Sequence, residues 1–185
     1  MTIELVSYAN LQSVLSLEGS TIASYSDLSL IRDNVVHAIE AYIWRTLGYD
    51  SFEKTIYITT PTQIISLPAL PVFYIDSITI TDSAGVESVL SASSYHVMEY
   101  GLYLHDMPTR GDKYVIEYDG GYEDEEIPGD IKRAALLQTV FEFQSKDHIG
   151  AESVSTDGGH VSRPQLGLLN EVKRMLDGYK HPLGW

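Results

Sequence analysis

The chain has 185 residues, and its 26 acidic side chains outnumber its 12 basic ones, which leaves a formal net charge of −14. So acidic a chain lacks the basic face with which proteins hold phosphate backbones, and this excludes an ordinary nucleic-acid-binding protein. It has no cysteine, which excludes disulfides, thiol catalysis and thiolate metal sites. The hydrophobic fraction of 44% is that of a globular protein with its own core.

The sequence carries no pattern for export or for membrane insertion. Residues 1–17 contain no lysine or arginine and include Glu4, so we expect no signal peptide. The longest uncharged run, residues 55–75, contains three prolines, so we expect buried strands there and no membrane contact.

A short helix is predicted near the start of the chain. Ser7 is a good N-cap residue for a helix over residues 8–15, and the Glu-Gly-Ser segment 18–20 is expected to end it.

A longer second helix follows. Ser26 and Asp27 are the expected caps, and Gly48 is the expected left-handed stop. Between them one apolar stripe recurs at spacings of three and four, formed by Leu28, Ile31, Val35, Ile39 and Tyr42.

From Glu53 to Tyr118 apolar residues no longer recur every three or four positions, as in a helix, but at every second position, as in a strand. Isoleucines alternate with polar residues in segments 55–59 and 77–81, as in half-buried strands. Turn residues divide the region at 82–85, 100–101 and 110–112. We therefore predict an antiparallel β-domain of five or six strands.

Helical character returns after Pro128, which suits a first helical turn, and Asp130 favours the positive helix end. Apolar residues cover more than one face of residues 131–143, so we expect this helix to have neighbours on two sides. A second subunit is one candidate neighbour, with Leu136, Val140 and Phe143 as candidate interface residues.

The last quarter of the chain contains a Ser/Gly/Asp-rich segment, residues 147–162, and then a final helix. The segment has no period, so we expect a functional loop or disorder. The helix is expected to begin at Pro164 and to end at Gly178.

Charge is unevenly distributed along the chain. Residues 119–130 carry six acidic groups and no basic one, whereas residues 131–185 carry seven basic and six acidic groups. This asymmetry predicts a complementary contact between copies or a deliberately acidic surface. The candidate residues for this surface are Asp119, Glu123, Asp124, Glu125 and Glu126.

No motif in the sequence indicates a catalytic, metal or cofactor site. The acidic segment does not follow the spacing of a calcium loop, and the six histidines do not follow that of a metal site. Phosphate-binding glycine loops and the Gly-x-Ser-x-Gly nucleophile motif are absent. We therefore predict no catalytic residue, no metal and no cofactor.

Two other classes of function stay open at this point. Thirteen tyrosines, seven of them between residues 57 and 118, suit a carbohydrate- or protein-binding β-module. A hydrolase is a weaker alternative, using His160, Asp157 and a loop serine such as Ser155.

Together these patterns predict an α+β fold, with a small bundle of about four helices that carries an inserted antiparallel β-domain. Residues 1–50 supply the N-terminal helices, 51–122 the β-domain, and 123–185 the C-terminal helices and tail, all as one composite domain.

The passage from Tyr118 to Ala134 has the form Tyr-x-x-Gly-Tyr, then Ile-Pro-x-Asp-Ile-Lys-x-Ala. It follows a helix that ends in EAYIWRTLG (40–48), the segment LPALPVFYIDSI (67–78) and the segment GLYL (101–104). This order of parts resembles the head–tail connector family of tailed bacteriophages, which are adaptor or head-completion proteins beneath the portal.

The resemblance implies a ring of about twelve identical subunits joined by heterologous contacts. Its implied partners are the portal ring and a stopper or tail-completion protein, and duplex DNA would pass through the channel without specific binding. The implied location is the virion neck, after assembly in the host bacterial cytoplasm.

The resemblance also implies that the C-terminal helix and tail dock on the portal. The candidate docking residues are Lys173, Arg174, Tyr179, Lys180 and Trp185.

Overall fold

The computed structural model describes residues 4–15, 22–145, 155–156, 159–160 and 167–182. Its helices are α1 (Tyr8–Leu15), α2 (Ile22–Ile43), α3 (Gly129–Ser145) and α4 (Asn170–Leu176). Its strands are β1 (Asp50–Tyr57), β2 (Ile64–Ser66), β3 (Val72–Thr81), β4 (Glu87–Val89), β5 (Tyr95–Met98), β6 (Gly101–Leu104), β7 (Lys113–Gly120), β8 (Ser155–Thr156) and β9 (Gly159–His160). The predicted α+β fold, with helices and an antiparallel β insertion, is confirmed.

The chain forms two compact units. Of the described residues, those within Glu4–Ile43 and Ile127–Lys180 form the helical unit, and Trp44–Glu126 together with His181 and Pro182 form the β unit. The division of the chain into segments 1–50, 51–122 and 123–185 stays a prediction.

The β unit consists of a four-stranded and a three-stranded antiparallel sheet. The strand orders are β1-β7-β3-β4 and β2-β6-β5. The strands number seven between Asp50 and Gly120, which exceeds the five or six predicted because β2 and β4 have only three residues each. Strands this short leave little trace of alternation in a sequence.

The core of the β unit lies on one face of β7. Tyr114, Ile116 and Tyr118 are buried, while Glu117 between them is exposed. The Tyr118 hydroxyl accepts the backbone N–H of Ala69 at 3.1 Å, and burial raises the pKa of this tyrosine. The inward and outward positions therefore follow the predicted period of two.

The predicted turns occur as expected. Asp82 Oδ1 accepts the backbone N–H groups of Ala84 and Val86, each at 2.8 Å, and Gly85 has a φ of +85°. Gly111 has a φ of +100°, a conformation that only glycine adopts without cost.

The first helix has the predicted bounds. The Ser7 hydroxyl accepts the backbone N–H of Asn10 at 3.3 Å, and Leu11 is buried. Its predicted end at residues 18–20 lies outside the described residues.

Both predicted ends of α2 are wrong. The helix begins at Ile22, so Ser26 and Asp27 lie inside it, since no glycine or proline interrupts the helix before them. It ends at Ile43, and the left-handed residue there is Trp44, with a φ of +57°. Gly48 instead pairs with Tyr122 in an isolated parallel bridge.

The helical unit is built around α3, which packs against α1, α2 and α4. Asp130 lies in its first turn, as predicted, and the N–H of Ile131 bonds to the Pro128 carbonyl at 3.0 Å. Ile131, Ala134 and Ala135 are buried.

The predicted bounds of the last helix are also wrong. Gly167 has a φ of +87°, which is not helical, and α4 begins at Asn170 rather than Pro164. Gly178 lies in a 3₁₀ turn, Asp177–Tyr179, that continues the helix, so it is not a left-handed stop. Leu168, Val172 and Leu176 form the buried face.

The segment 147–162 contains the two short strands β8 and β9, which pair antiparallel. The rest of that predicted loop lies outside the described residues.

Candidate functional site

The acidic segment 119–126 begins at a tightly held point of the β unit. The backbone N–H of Tyr122 donates to the Leu47 carbonyl at 2.6 Å, and the Tyr122 carbonyl accepts the N–H of Tyr49 at 3.0 Å. Arg45 donates to the Tyr122 hydroxyl at 3.3 Å and to the Leu70 carbonyl at 3.0 Å. The hydrogen bonds of Tyr122, the last residue of the Tyr-x-x-Gly-Tyr motif, therefore hold the start of the acidic segment in place.

The five predicted acidic residues divide into two groups. Asp119 is half-buried at the end of β7, and its carboxylate accepts the Ser51 hydroxyl at 2.6 Å. Glu123, Asp124, Glu125 and Glu126 are exposed in a turn, in which the N–H of Glu126 bonds to the Glu123 carbonyl at 2.9 Å. A role for all five in a channel or an interface stays a prediction.

The outward face of the four-stranded sheet carries further carboxylates that sequence reasoning missed. Glu53 on β1 stands directly opposite Glu117 on β7, and Ser77 donates to the Glu117 carboxylate at 2.9 Å. Like charges directly opposite each other destabilise a sheet. The alternation along β1 and β7 was the available signal, because it places Glu53 and Glu117 on the outward face.

Tyr49 lies among three of the carboxylates. The charge of Asp119 has the largest effect in raising the pKa of Tyr49, followed by burial and by the charge of Glu123, with a smaller effect from Asp76. Its ring meets that of Phe73 edge to face, with 5.6 Å between centroids. We call Tyr49, Phe73, Asp76, Asp119 and Glu123 the aromatic–acidic patch.

Two β-bulges in β3 belong to this patch. The register with β7 shifts between Val72 and Tyr74 and again between Ile75 and Ser77, which leaves Phe73 and Asp76 as the extra residues. Bulges re-aim side chains, and both extra residues are exposed. Sequence reasoning missed Phe73 and Asp76 because a bulge leaves no regular signal in the hydrophobic pattern, and it missed Tyr49 because its neighbours in the patch lie far away in the sequence.

The predicted subunit-interface residues Leu136, Val140 and Phe143 are half-buried on α3. The apolar surface of α3 covers more than one face of the helix. Contacts within the chain explain part of this width, because α3 packs against three other helices of its own unit. The interface role of these residues stays a prediction.

Gln138 on α3 is fully buried, although it was not singled out in the sequence. Its side-chain nitrogen donates to Glu142 Oε1 at 2.9 Å and to the Gly167 carbonyl at 3.3 Å. Its side-chain oxygen accepts the N–H of Leu169 at 2.9 Å. Gln138 therefore holds the chain that leads into α4.

The predicted portal-docking residues lie on α4 and after it. Lys173 and Tyr179 are half-buried and Arg174 is exposed, while Trp185 lies outside the described residues. Lys180 is already engaged, because its ammonium lies 2.8 Å from the Asp177 carboxylate and 4.2 Å from the centre of the Tyr42 ring.

Hydrogen bonds within this group shift two pKa values. The bond to Lys180 has the largest effect in lowering the pKa of Asp177, and the bond to Asp177 has the largest effect in raising that of Lys180. Docking on a portal stays a prediction for all five residues.

The remaining candidates are the histidines and the residues of the hydrolase alternative. His96 and His105 lie close together, with 4.5 Å between ring centres. In the described part of the chain, no group of three or more His, Asp or Glu residues is placed to hold a metal ion. Of the hydrolase candidates, Ser155 and His160 lie on β8 and β9, and Asp157 lies outside the described residues.

None of the described helices is both long enough and apolar enough to cross a membrane.

Comparisons with known proteins place this arrangement in a family context. A family model described as head completion protein matches residues 5–181. No curated protein sequence matches the chain.

Solved structures of gene transfer agent (GTA) particles contain similar chains. One, from the neck of an empty GTA particle with C6 symmetry, has 18% identity and a TM-score of 0.62, with 97% of this chain and 89% of that chain covered. Another, from the virion of a native GTA particle, has 18% identity and a TM-score of 0.61, with 97% and 92% covered. A third, from the neck of a native GTA particle with C12 symmetry, has 18% identity and a TM-score of 0.55, with 97% and 95% covered. At this identity they show a common fold.

Proposed function

We propose that this chain, which belongs to the head completion protein family, is a structural head–tail connector of a tailed bacteriophage or a phage-like particle. The observation that carries the proposal is the family match, which spans residues 5–181 and so confirms the resemblance found in the sequence. The shared fold with proteins from GTA necks supports it independently.

In this role the protein completes the DNA-filled head and provides the site to which the tail attaches. Such work depends on surfaces that bind other proteins and needs no reaction centre, so we propose that the chain is not an enzyme. Its place is the neck of the virion, after assembly in the cytoplasm of the bacterial host.

The assembly we propose is a ring of about twelve copies beneath the portal. One of the similar chains comes from a neck with C12 symmetry, which supports this number. Each copy would bind the portal ring on one side and a stopper or tail-completion protein on the other. Contacts that are weak one by one would gain strength from the portal acting as a template.

Duplex DNA would pass through the ring without specific binding. The net charge of −14 supports this, since an acidic wall repels the phosphate backbone whereas a basic wall would retain it. The exposed residues Asp124, Glu125 and Glu126 are the best candidates for the lumen, because they lie in an acidic turn that is open to solvent.

For the portal contact we propose the C-terminal helix and tail. Arg174 is exposed on α4, and the side chains of Lys173 and Tyr179 are partly accessible. Lys180 contributes less, because Asp177 and Tyr42 already hold its ammonium group.

A reconstitution experiment tests the proposal. The protein is mixed with portal rings of its own particle at moderate salt, and the mixture is examined by pull-down and negative-stain microscopy. We expect a new ring of density on the tail-side face of the portal, and unfinished heads when the gene is deleted. Absence of binding, together with normal head completion in the deletion strain, would refute it.

The exposed rings of Tyr57, Phe73 and Tyr74 favour one alternative, a β-rich carbohydrate- or protein-binding module. The same experiment separates the two functions, because such a module would leave head completion intact when its gene is deleted.

A further inference from the structure

We propose that the aromatic–acidic patch of one copy binds an arginine of the helical unit of a second copy. This inference rests on the proposed function, in which identical copies close into a ring. It assigns Asp119 and Glu123 to the subunit interface and leaves residues 124–126 for the lumen.

The chemistry of the patch fits a guanidinium group. Phe73 is 50% exposed and Tyr49 is 40% exposed, so two ring surfaces are open to solvent beside the three carboxylates. Arginine stacks on aromatic rings and pairs with carboxylates, so this combination of groups satisfies both of its preferences. Aromatic and arginine side chains are also enriched at protein interfaces.

The patch has no cation of its own. Within the described residues, none of Asp76, Asp119 and Glu123 forms an ion pair with a basic side chain. Asp119 is satisfied by the Ser51 hydroxyl, at 2.6 Å, and by Tyr49. The negative charge of the patch is therefore available to a group from outside.

The C-terminal part of the helical unit is much less acidic than the β unit, although the helical unit as a whole carries 12 acidic and eight basic side chains. Residues 44–126 carry 14 acidic and four basic side chains, whereas residues 131–180 carry six acidic and seven basic ones. On the helical unit Arg133 and Arg174 are exposed, and neither forms an ion pair among the described residues. A closed ring of identical subunits needs two different surfaces that fit each other, and an exposed arginine on α3 is a charge partner for the acidic side chains of the patch.

The aromatic content distinguishes the patch from a channel wall. A surface that lets duplex DNA pass benefits from negative charge alone, whereas exposed aromatic rings are enriched at protein interfaces. Two bulges that turn Phe73 and Asp76 outward have a clear use at a protein interface.

Site-specific photo-crosslinking in assembled particles tests the contact. A photoreactive phenylalanine derivative replaces Phe73, and in a control chain it replaces Tyr57, which is 66% exposed at the other end of β1. We expect position 73 to crosslink to residues 127–180 of a second copy and position 57 to give at least tenfold less of this product. Crosslinks from position 73 to another protein alone, or to none, would overturn the inference.

Charge reversal gives a second test. Glu123→Arg is expected to weaken self-association about tenfold, as like charges meet at the contact, whereas the exposed control Glu87→Arg leaves it unchanged. Combining Glu123→Arg with Arg133→Glu is expected to restore association. Wild-type association of the Glu123→Arg variant would contradict the inference.

The two proposals fail in different ways. If the chain is absent from particles, the proposed function fails. In that case crosslinking from position 73 is measured in concentrated purified protein, and a crosslink to a second copy decides whether the inference holds. If the chain is present in the neck but position 73 does not reach a second copy, the function stands and the inference fails.

Discussion

Gln138 Oε1 accepts the backbone N–H of Leu169 at 2.9 Å, and this bond joins the middle of α3 to the residue that precedes α4. Leu169 is the N-cap residue of α4, and no side chain caps the helix, but a glutamine 31 residues earlier in the chain binds the backbone N–H of Leu169 itself. Its amide nitrogen at the same time binds the Gly167 carbonyl at 3.3 Å. A buried amide with both ends bonded orients the chain more strictly than apolar packing does.

Replacing Gln138 with alanine should therefore destabilise the helical unit. We expect Gln138→Ala to lower the free energy of unfolding by about 2 kcal/mol, because it removes the partners of the Leu169 N–H and the Gly167 carbonyl and opens a cavity where the buried side chain was. Urea unfolding measures the change. The control is Gln144→Ala on the same helix, where the side chain is exposed and we expect a change below about 0.5 kcal/mol. Equal losses in the two variants would contradict the assignment.

Gly121 should tolerate no side chain. Its φ is +96°, and a Cβ atom there would overlap the carbonyl oxygen of Gly48. We expect Gly121→Ala to lower the free energy of unfolding by about 3 kcal/mol, from backbone strain together with displacement of Gly48. Gly129→Ala is the matched control, since a Cβ there meets nothing within 4 Å. Thermal unfolding of both variants checks the prediction, and an unperturbed Gly121→Ala protein would refute it.

The stability of the β unit should fall in mild acid because of His181. Burial has the largest effect in lowering the pKa of His181, whose Nε2 lies 3.0 Å from the Ser66 hydroxyl and 3.3 Å from the Leu67 carbonyl. A pKa lowered by folding means that the unfolded chain takes up the proton first. The contribution of neutral His181 to the free energy of unfolding is therefore complete above a pH of about 6.5, and it is lost as the pH falls towards the pKa of His181 in the folded protein.

The slope for this one proton is at most about 1.4 kcal/mol per pH unit. Urea unfolding between pH 7.5 and 5 measures it in the wild type and in His181→Gln, in which we expect that part of the slope to disappear. An identical slope in wild type and His181→Gln would show that His181 is not the group responsible.

Relieving the repulsion between Glu53 and Glu117 should stabilise the sheet. The two stand opposite each other on β1 and β7, so Glu53→Lys converts a like-charge pair into an attractive one. We expect a gain of about 0.5 kcal/mol at low salt that vanishes near 1 M salt, as screening removes it. Glu87→Lys is the control, because Glu87 stands opposite the uncharged Thr81. A similar gain from both variants would attribute the effect to net charge alone.

Only part of the aromatic–acidic patch could be predicted from the sequence. The density of acidic residues pointed to Asp119 and Glu123, because a run of charge is a local property. Tyr49, Phe73 and Asp76 were not found, since two bulges and the pairing of β7 with β1 and β3 bring them beside those acids. Register across strands depends on the whole sheet, and no window of sequence contains it.

The helix ends also divide into those that neighbouring residues determine and those that distant contacts determine. The sequence determined the α+β class, the first helix with its Ser7 cap, the turns at Asp82 and Gly111, and the inward face of β7, because each of these follows from a few neighbouring residues. Tertiary structure decided that α2 ends at Ile43 and that α4 begins at Asn170. In both cases bonds to distant residues stabilise the break or the start of a helix, and those bonds outweigh the local preferences of serine, proline and glycine.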